Sequence, residues 1–179
     1  VIHGIPSHSR QIRPGDIVSI DTGAAINGFN GDNACTFPCG KVDIEAQRLM
    51  DVTKESLHRG IAAAVAGNRV GDIGHAVQSY VEENGFSVVR SFVGHGVGKE
   101  LHEDPEVPNY GHAGHGVRLV NGMTIAIEPM VNQKHHSVKT LSDGWTVVTA
   151  DGGLAAHFEH SVAILPGGPE ILTIGWEEP

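Results

Sequence analysis

Asp21, Asp32, His95, Glu128 and Glu159 are side chains whose types suit a hard divalent cation, and the spacing of the first two is the most informative. Asp21 and Asp32 flank Asn27-Gly28, the strongest short signal for a two-residue hairpin turn. With that turn, Ile26 faces Phe29, Asp21 faces Ala34 and Asp32 faces Gly23. The two acids are then diagonal neighbours on one face, roughly 7–8 Å apart at the backbone. Val18 and Ile20 point to the opposite face, where helices can pack. Two partly buried carboxylates at that spacing repel one another, and a pair of metal ions about 3.5–4 Å apart would bridge them. Taken alone, the pair reads first as surface acids beside a turn. Gly23, Ala24, Ala25 and Gly31 are small, however, and leave room for a ligand.

His95 stands between Gly94 and Gly96, where glycines let the backbone approach another group closely. The segment lacks G-x-x-x-x-G-K-[ST], so it is not a phosphate loop. His102 follows in Leu101-His102-Glu103. Position 106 is Glu, so the helical zinc motif H-E-x-x-H is absent. Glu128 ends the apolar run Ile125-Ala126-Ile127, and Glu159 lies in Phe158-Glu159-His160-Ser161-Val162. A charge inside such a run is rarely left unpaired. Either Glu could be a structural ion-pair partner, but no Lys or Arg lies within four residues of them. Four carboxylates and one imidazole, with no thiolate, suit Mn, Fe(II), Co or Zn better than a soft metal.

The elements that must position these residues follow from pattern. Asp16–Phe37 reads as a β-hairpin. Asp43 can cap a helix running to about Ala66, with Leu49, Val52, Leu57, Ile61 and Val65 at helical spacing and Gly67 as its stop. A second helix runs from near Asp72 to Asn84-Gly85, with Ile73, Val77 and Val81 as its apolar stripe. Strands are expected at 87–93, 123–128, 145–149 and 156–165, with a Gly/His/Pro-rich stretch at 94–116 and a turn at Asp143-Gly144. Hairpin, helices and then mainly strands make an α+β pattern, with helices packed on one face of the sheet.

A chain of 179 residues is one domain by length, with enough surface to bury a core unaided. Its net charge of −9 argues against nucleic acid and anionic membrane as partners. No apolar run is long enough to span a membrane, and no signal peptide is visible. Two cysteines, Cys35 and Cys39, do not make a secreted disulfide framework, so the expected compartment is the cytoplasm. His 12 exceeds the aromatics (Phe 5, Trp 2, Tyr 2), which favours a metal enzyme. His58, His75, His112, His115, His135 and His136 read as surface or loop residues. His157 and His160 flank Glu159, and His160 alternates to the opposite face.

Several stretches in series resemble the type I methionine aminopeptidases: His3-Gly4-Ile5-Pro6, Ser19-Ile20-Asp21, Gly28-Phe29-Asn30-Gly31-Asp32, Gly94-His95-Gly96-Val97-Gly98 and Leu101-His102-Glu103. They continue with Ile127-Glu128-Pro129-Met130, Asp143-Gly144-Trp145-Thr146 and Phe158-Glu159-His160. The resemblance covers nearly the whole chain. It implies a pita-bread (creatinase/aminopeptidase) fold, a curved antiparallel sheet with helices on the outer face, and one metallopeptidase catalytic domain over 1–179. It implies a hydrolase that removes the initiator methionine from nascent polypeptides with two divalent metal ions.

In that family pattern Asp21 would hold one metal, Asp32 and Glu159 would bridge, and His95 and Glu128 would complete the other. A bridging water would become the nucleophile, and Glu128 would shuttle its proton. His102 would bind the scissile peptide and stabilise the oxyanion, and His3 would contact substrate. Trp145 and Leu101 would border the methionine side chain. The implied partner is a peptide or nascent-chain N-terminus, with transient ribosome association.

The sequence departs from the family at Asn30, where His is common, at Asn33, where Thr, Ser or Ala is common, and at Leu101, where an aromatic is frequent. The family's usual segment ahead of His3 is not seen here, and that segment helps to shape the pocket. Two alternatives stand beside this reading: an aminopeptidase P or prolidase, and a non-catalytic binding protein on the same fold. The His3–Pro6 and Ile127–Met130 segments favour the methionine enzymes.

Overall fold

Asn27 and Gly28 both adopt positive φ, 50° and 81°, as a type I′ turn requires. In this computed structural model, which describes residues 1–174, that turn joins β1 (Ile17–Ile26) to β2 (Phe29–Pro38). The register places Asp21 opposite Ala34 and Asp32 opposite Gly23. The outer face of the hairpin differs from expectation. Ile20 is 54% exposed, because it lies on the edge strand beyond the reach of the helices. Ile17 and Cys35 are the hairpin residues that pack against the core.

Helix α1 spans Ile44–Ala63, and Asp43 caps it by accepting a hydrogen bond from the Ala46 N–H at 2.8 Å. It stops short of the expected Ala66 because Asn68 Nδ2 donates to the Ala63 carbonyl at 2.9 Å, taking the acceptor a further turn would use. Val65 therefore lies outside the helix. Helix α2 spans Val70–Glu83. Asp72 does not start it; it sits inside the first turn and accepts from the Arg69 N–H at 2.7 Å, which moves the start back to Val70.

The remaining strands are β3 (Ser87–Val88), β4 (Gly94–Gly96), β5 (Glu103–Val107), β6 (Thr124–Ile127) and β7 (Met130–Asn132). They continue with β8 (Val138–Thr140), β9 (Val147–Thr149), β10 (Ala155–His157), β11 (Glu159–Leu165) and β12 (Gly168–Ile171). The main sheet runs β1-β2-β11-β6-β4-β5, with β12 beside β11, and all of its recorded pairings are antiparallel. The strand expected at 156–165 is two strands. It breaks at Phe158, where the chain leaves β7 and joins β2 and β6. The strand expected at 87–93 is short, and the Gly-rich stretch holds β4 and β5. Trp145 belongs to a turn, because Asp143 Oδ1 accepts from both the Trp145 and Thr146 N–H groups.

Alternation along the strands separates a core face from a site face. Ile125 and Ile127 of β6, and Val162 and Ile164 of β11, join Leu49, Leu57, Ile73 and Val77 of the helices in one apolar cluster. Asp32, Ala34 and Glu159 point the other way. Gly94 and Gly96 let β4 enter the sheet closely. A Cβ at either would sit 2.3 Å from a carbonyl oxygen, that of Ala126 or of Asp104. Overpacking of this kind costs about 1–3 kcal/mol. Gly94→Ala is therefore expected to lower the melting temperature by about 2–4 °C for each kcal/mol lost. An unchanged melting curve would contradict the close approach that holds His95 in place.

Candidate metal centre

Hairpin β1–β2 brings Asp21 and Asp32, β4 brings His95, and β11 brings Glu159. Glu128 follows β6 directly. Ligand atoms lie within 4.8 Å of one another in three groups: Asp21, Asp32 and Glu159; His95, Glu128 and Glu159; and Asp32, His95 and His102. The five residues expected to act as ligands therefore meet, with Glu159 shared by the first two groups. His95 Nε2 is 3.5 Å from Glu128 Oε1 and 3.7 Å from Asp32 Oδ2. Its Nδ1 donates to the Gly96 carbonyl at 2.8 Å, which in the neutral ring leaves a lone pair on Nε2 aimed at those acids. A lone pair facing carboxylate oxygens is an arrangement that a cation between them relieves.

Glu159 is 2% exposed, and its Oε1 has no hydrogen-bond partner. Burial, with Glu128, Asp32 and Asp21 adding repulsion, pushes its carboxyl up to about 10. Burial pushes Glu128 up to about 8, against the opposing attraction of His95. Asp21 is raised mainly by burial. His157 Nε2 lies 3.4 Å from Glu128 Oε2, and burial lowers that imidazole to about 4. An orphaned buried carboxylate oxygen, an oxygen-rich donor set and one imidazole lone pair fit divalent cations.

Metal uptake should therefore displace protons. Glu128 and Glu159, both raised above neutrality, hold protons at pH 7, and ligation requires carboxylates. Calorimetric titration at pH 7 in two buffers of different ionisation enthalpy is expected to give different heats, with affinity rising as pH rises. Equal heats in both buffers would contradict the raised values.

The other expected residues lie at the rim. His102 is exposed, its ring 4.3 Å from that of His95 at 65°. His3 and His102 line the cavity together with Ile2, Phe92 and Val93. His3 has a positive φ of 57° and stacks on Trp145 at 4.1 Å and 13°. Trp145, 53% exposed, is not among the cavity-lining residues and reaches them through that stack. Leu101 also lies off the cavity lining; its Cδ1 would be 3.3 Å from a Cβ at Gly23. Asn30 Nδ2 donates to the Gly98 and Lys99 carbonyls, tying the hairpin to the segment before His102. Asn33 Nδ2 donates to the Glu159 carbonyl at 2.9 Å.

Two further contributors had weak signals or none. His157 stands two residues before Glu159, so strand alternation alone places it near the site. Asn109 is fully buried and donates to the Glu128 carbonyl at 2.9 Å, and nothing in its loop sequence marks it.

Residues 1–166 match the model of metallopeptidase family M24. The methionine aminopeptidase of Clostridium acetobutylicum is 59% identical over 174 residues, covering 97% of this chain and 70% of that protein. The chain belongs to the methionine aminopeptidases of family M24. The methionine aminopeptidase 1 of Bacillus subtilis is 54% identical over 173 residues, covering 97% of this chain and 69% of that protein. The crystal structure of methionine aminopeptidase from Thermotoga maritima superimposes with a TM-score of 0.94 at 49% identity, covering 96% of this chain and 69% of that one. The prolidase of Pyrococcus furiosus gives a TM-score of 0.72 at 25% identity, over 93% of this chain and 43% of that one. The methionine aminopeptidases are thus favoured over the prolidases, and the fold is the pita-bread fold of a metal-binding exopeptidase family. Among the described residues, no helix is long and apolar enough to cross a membrane.

Proposed function

We infer that this methionine aminopeptidase hydrolyses the first peptide bond of polypeptides that begin with methionine, including nascent chains carrying the initiator residue. The observation that carries the chemistry is Glu159, buried, unpartnered at Oε1 and common to two ligand groups. Asp21, Asp32, His95, Glu128 and Glu159 would hold two divalent ions drawn from Co, Mn, Fe(II) or Zn, and Asp32 and Glu159 each stand in two of the ligand groups. When bound, such ions acidify water and polarise the scissile carbonyl.

Glu128, as the carboxylate that ligation requires, accepts a proton from the attacking water and returns it to the leaving amine. His102, beside His95 at the cavity rim, donates a hydrogen bond to the oxygen on which charge develops. His3 contacts the peptide, braced by Trp145. Leu101 and Trp145 border the methionine side chain from farther out. Residues 1–179 form one catalytic domain acting in the cytoplasm, with transient contact to the ribosome as nascent chains emerge; residues 175–179 of that domain lie outside the described structure.

A peptide pair tests the substrate class. Met-Ala-Ser should release free methionine, while an Xaa-Pro dipeptide should be cleaved poorly. The reverse preference would return the prolidase reading.

A further inference from the structure

Two of the carboxylates, Asp21 and Asp32, ride on a hairpin, whereas His95, Glu128 and Glu159 belong to the body of the sheet. β1 pairs with β2 at the sheet edge, so the hairpin joins the body through β2. Backbone pairing between β2 and β11 covers Ala34 with Glu159 and Asn33 with His160. On each side of those pairs a hydroxyl group continues the joint. Ser161 Oγ accepts from the Asp32 N–H at 2.9 Å and donates to the Asp32 carbonyl at 2.9 Å. Thr36 Oγ1 accepts from the His157 N–H at 2.9 Å and donates to the His157 carbonyl at 2.9 Å.

A hydroxyl has one proton and two lone pairs, so each serves both backbone groups of one residue, as a facing peptide does in an unbroken ladder. Thr36 has then used its proton, so Ser19 Oγ, 2.8 Å away on β1, donates to it. Ser161 and Thr36 are 1% and 4% exposed, so water does not replace either hydroxyl. A direct ladder draws strands to about 4.8 Å, whereas an inserted side chain spaces them more widely. The two inserted hydroxyls fall at Asp32 itself and at His157, two residues before Glu159.

We propose that Ser161 and Thr36 are positioning residues of the metal centre, their hydroxyls fixing the hairpin acids relative to Glu159. The proposal rests on the reading of the five ligands given above. Loss of either hydroxyl leaves a buried N–H and carbonyl unpaired or lets the strands shift, and Asp32 moves with them.

The test is a Co(II) titration of the chelator-stripped chain, followed by visible absorption, with the melting temperature of the stripped protein measured in parallel. Ser161→Ala and Thr36→Val should each weaken affinity about 10–100-fold, while Ser161→Thr and Thr36→Ser, which keep the oxygen, retain it. Ser19→Ala, at an exposed position on β1, should shift affinity in the same direction by less. Variants that melt lower but bind Co(II) as wild type does would make the hydroxyls purely structural and overturn the proposal. So would unchanged affinity in Ser19→Ala if both buried variants failed to fold. If wild type bound no Co(II), or if Asp21→Asn and Glu159→Gln bound it normally, the ligand assignment itself would fail instead.

Discussion

Glu159→Gln is expected to lose tight occupancy of at least one metal ion and, with it, nearly all turnover. The carboxylate is common to both groups of ligand atoms that include Asp21 and Glu128, so in the proposed centre its charge would serve two ions at once. An amide of the same shape keeps the packing and removes that charge. Asp32→Asn should behave alike, since Asp32 also stands in two groups. The fold should survive, because Glu159 makes no recorded side-chain hydrogen bond through Oε1 and its ionisation in the metal-free protein is already opposed by burial. Metal analysis that finds two ions per chain in either variant would contradict the bridging assignment.

His102→Ala is expected to keep its metal and its melting temperature while losing about 10²–10³ in kcat, roughly 2.7–4 kcal/mol, the usual cost of removing one donor to a developing oxyanion. An interaction made mainly in the transition state changes kcat more than KM. The structure sharpens this experiment. A ring nitrogen of His102 falls within reach of Asp32 and His95 ligand atoms, so coordination is the competing role. Loss of a metal ion from the variant would make His102 a ligand. Unchanged turnover would place it with the other loop histidines.

Much of this arrangement was legible in sequence because two rules with a fixed period operate there. The Asn27-Gly28 turn sets the hairpin register, and register places Asp21 and Asp32 on one face. Glu128 and Glu159 stood out as charges in apolar strands. Residues whose roles depend on which strands become neighbours were not legible. Asn109 reaches the Glu128 carbonyl across the sheet, and Ser161 reaches Asp32 from 129 positions away. Neither contact has a local pattern. The break at Phe158 was hidden for a similar reason: 156–165 is uniformly strand-like, and only the change of pairing partner divides it. Ile20 misled because alternation specifies a face but not whether a helix covers it.

The central claim is that these five side chains bind the metal on which removal of N-terminal methionine depends. It is tested most directly by measuring free methionine released from Met-Ala-Ser by the chelator-stripped chain, before and after Co or Mn is restored. The expected result is no release from the stripped protein, recovery with either metal in wild type, and no recovery in Glu159→Gln. Release that is equal with and without metal, or recovery in Glu159→Gln to the wild-type level, would contradict it.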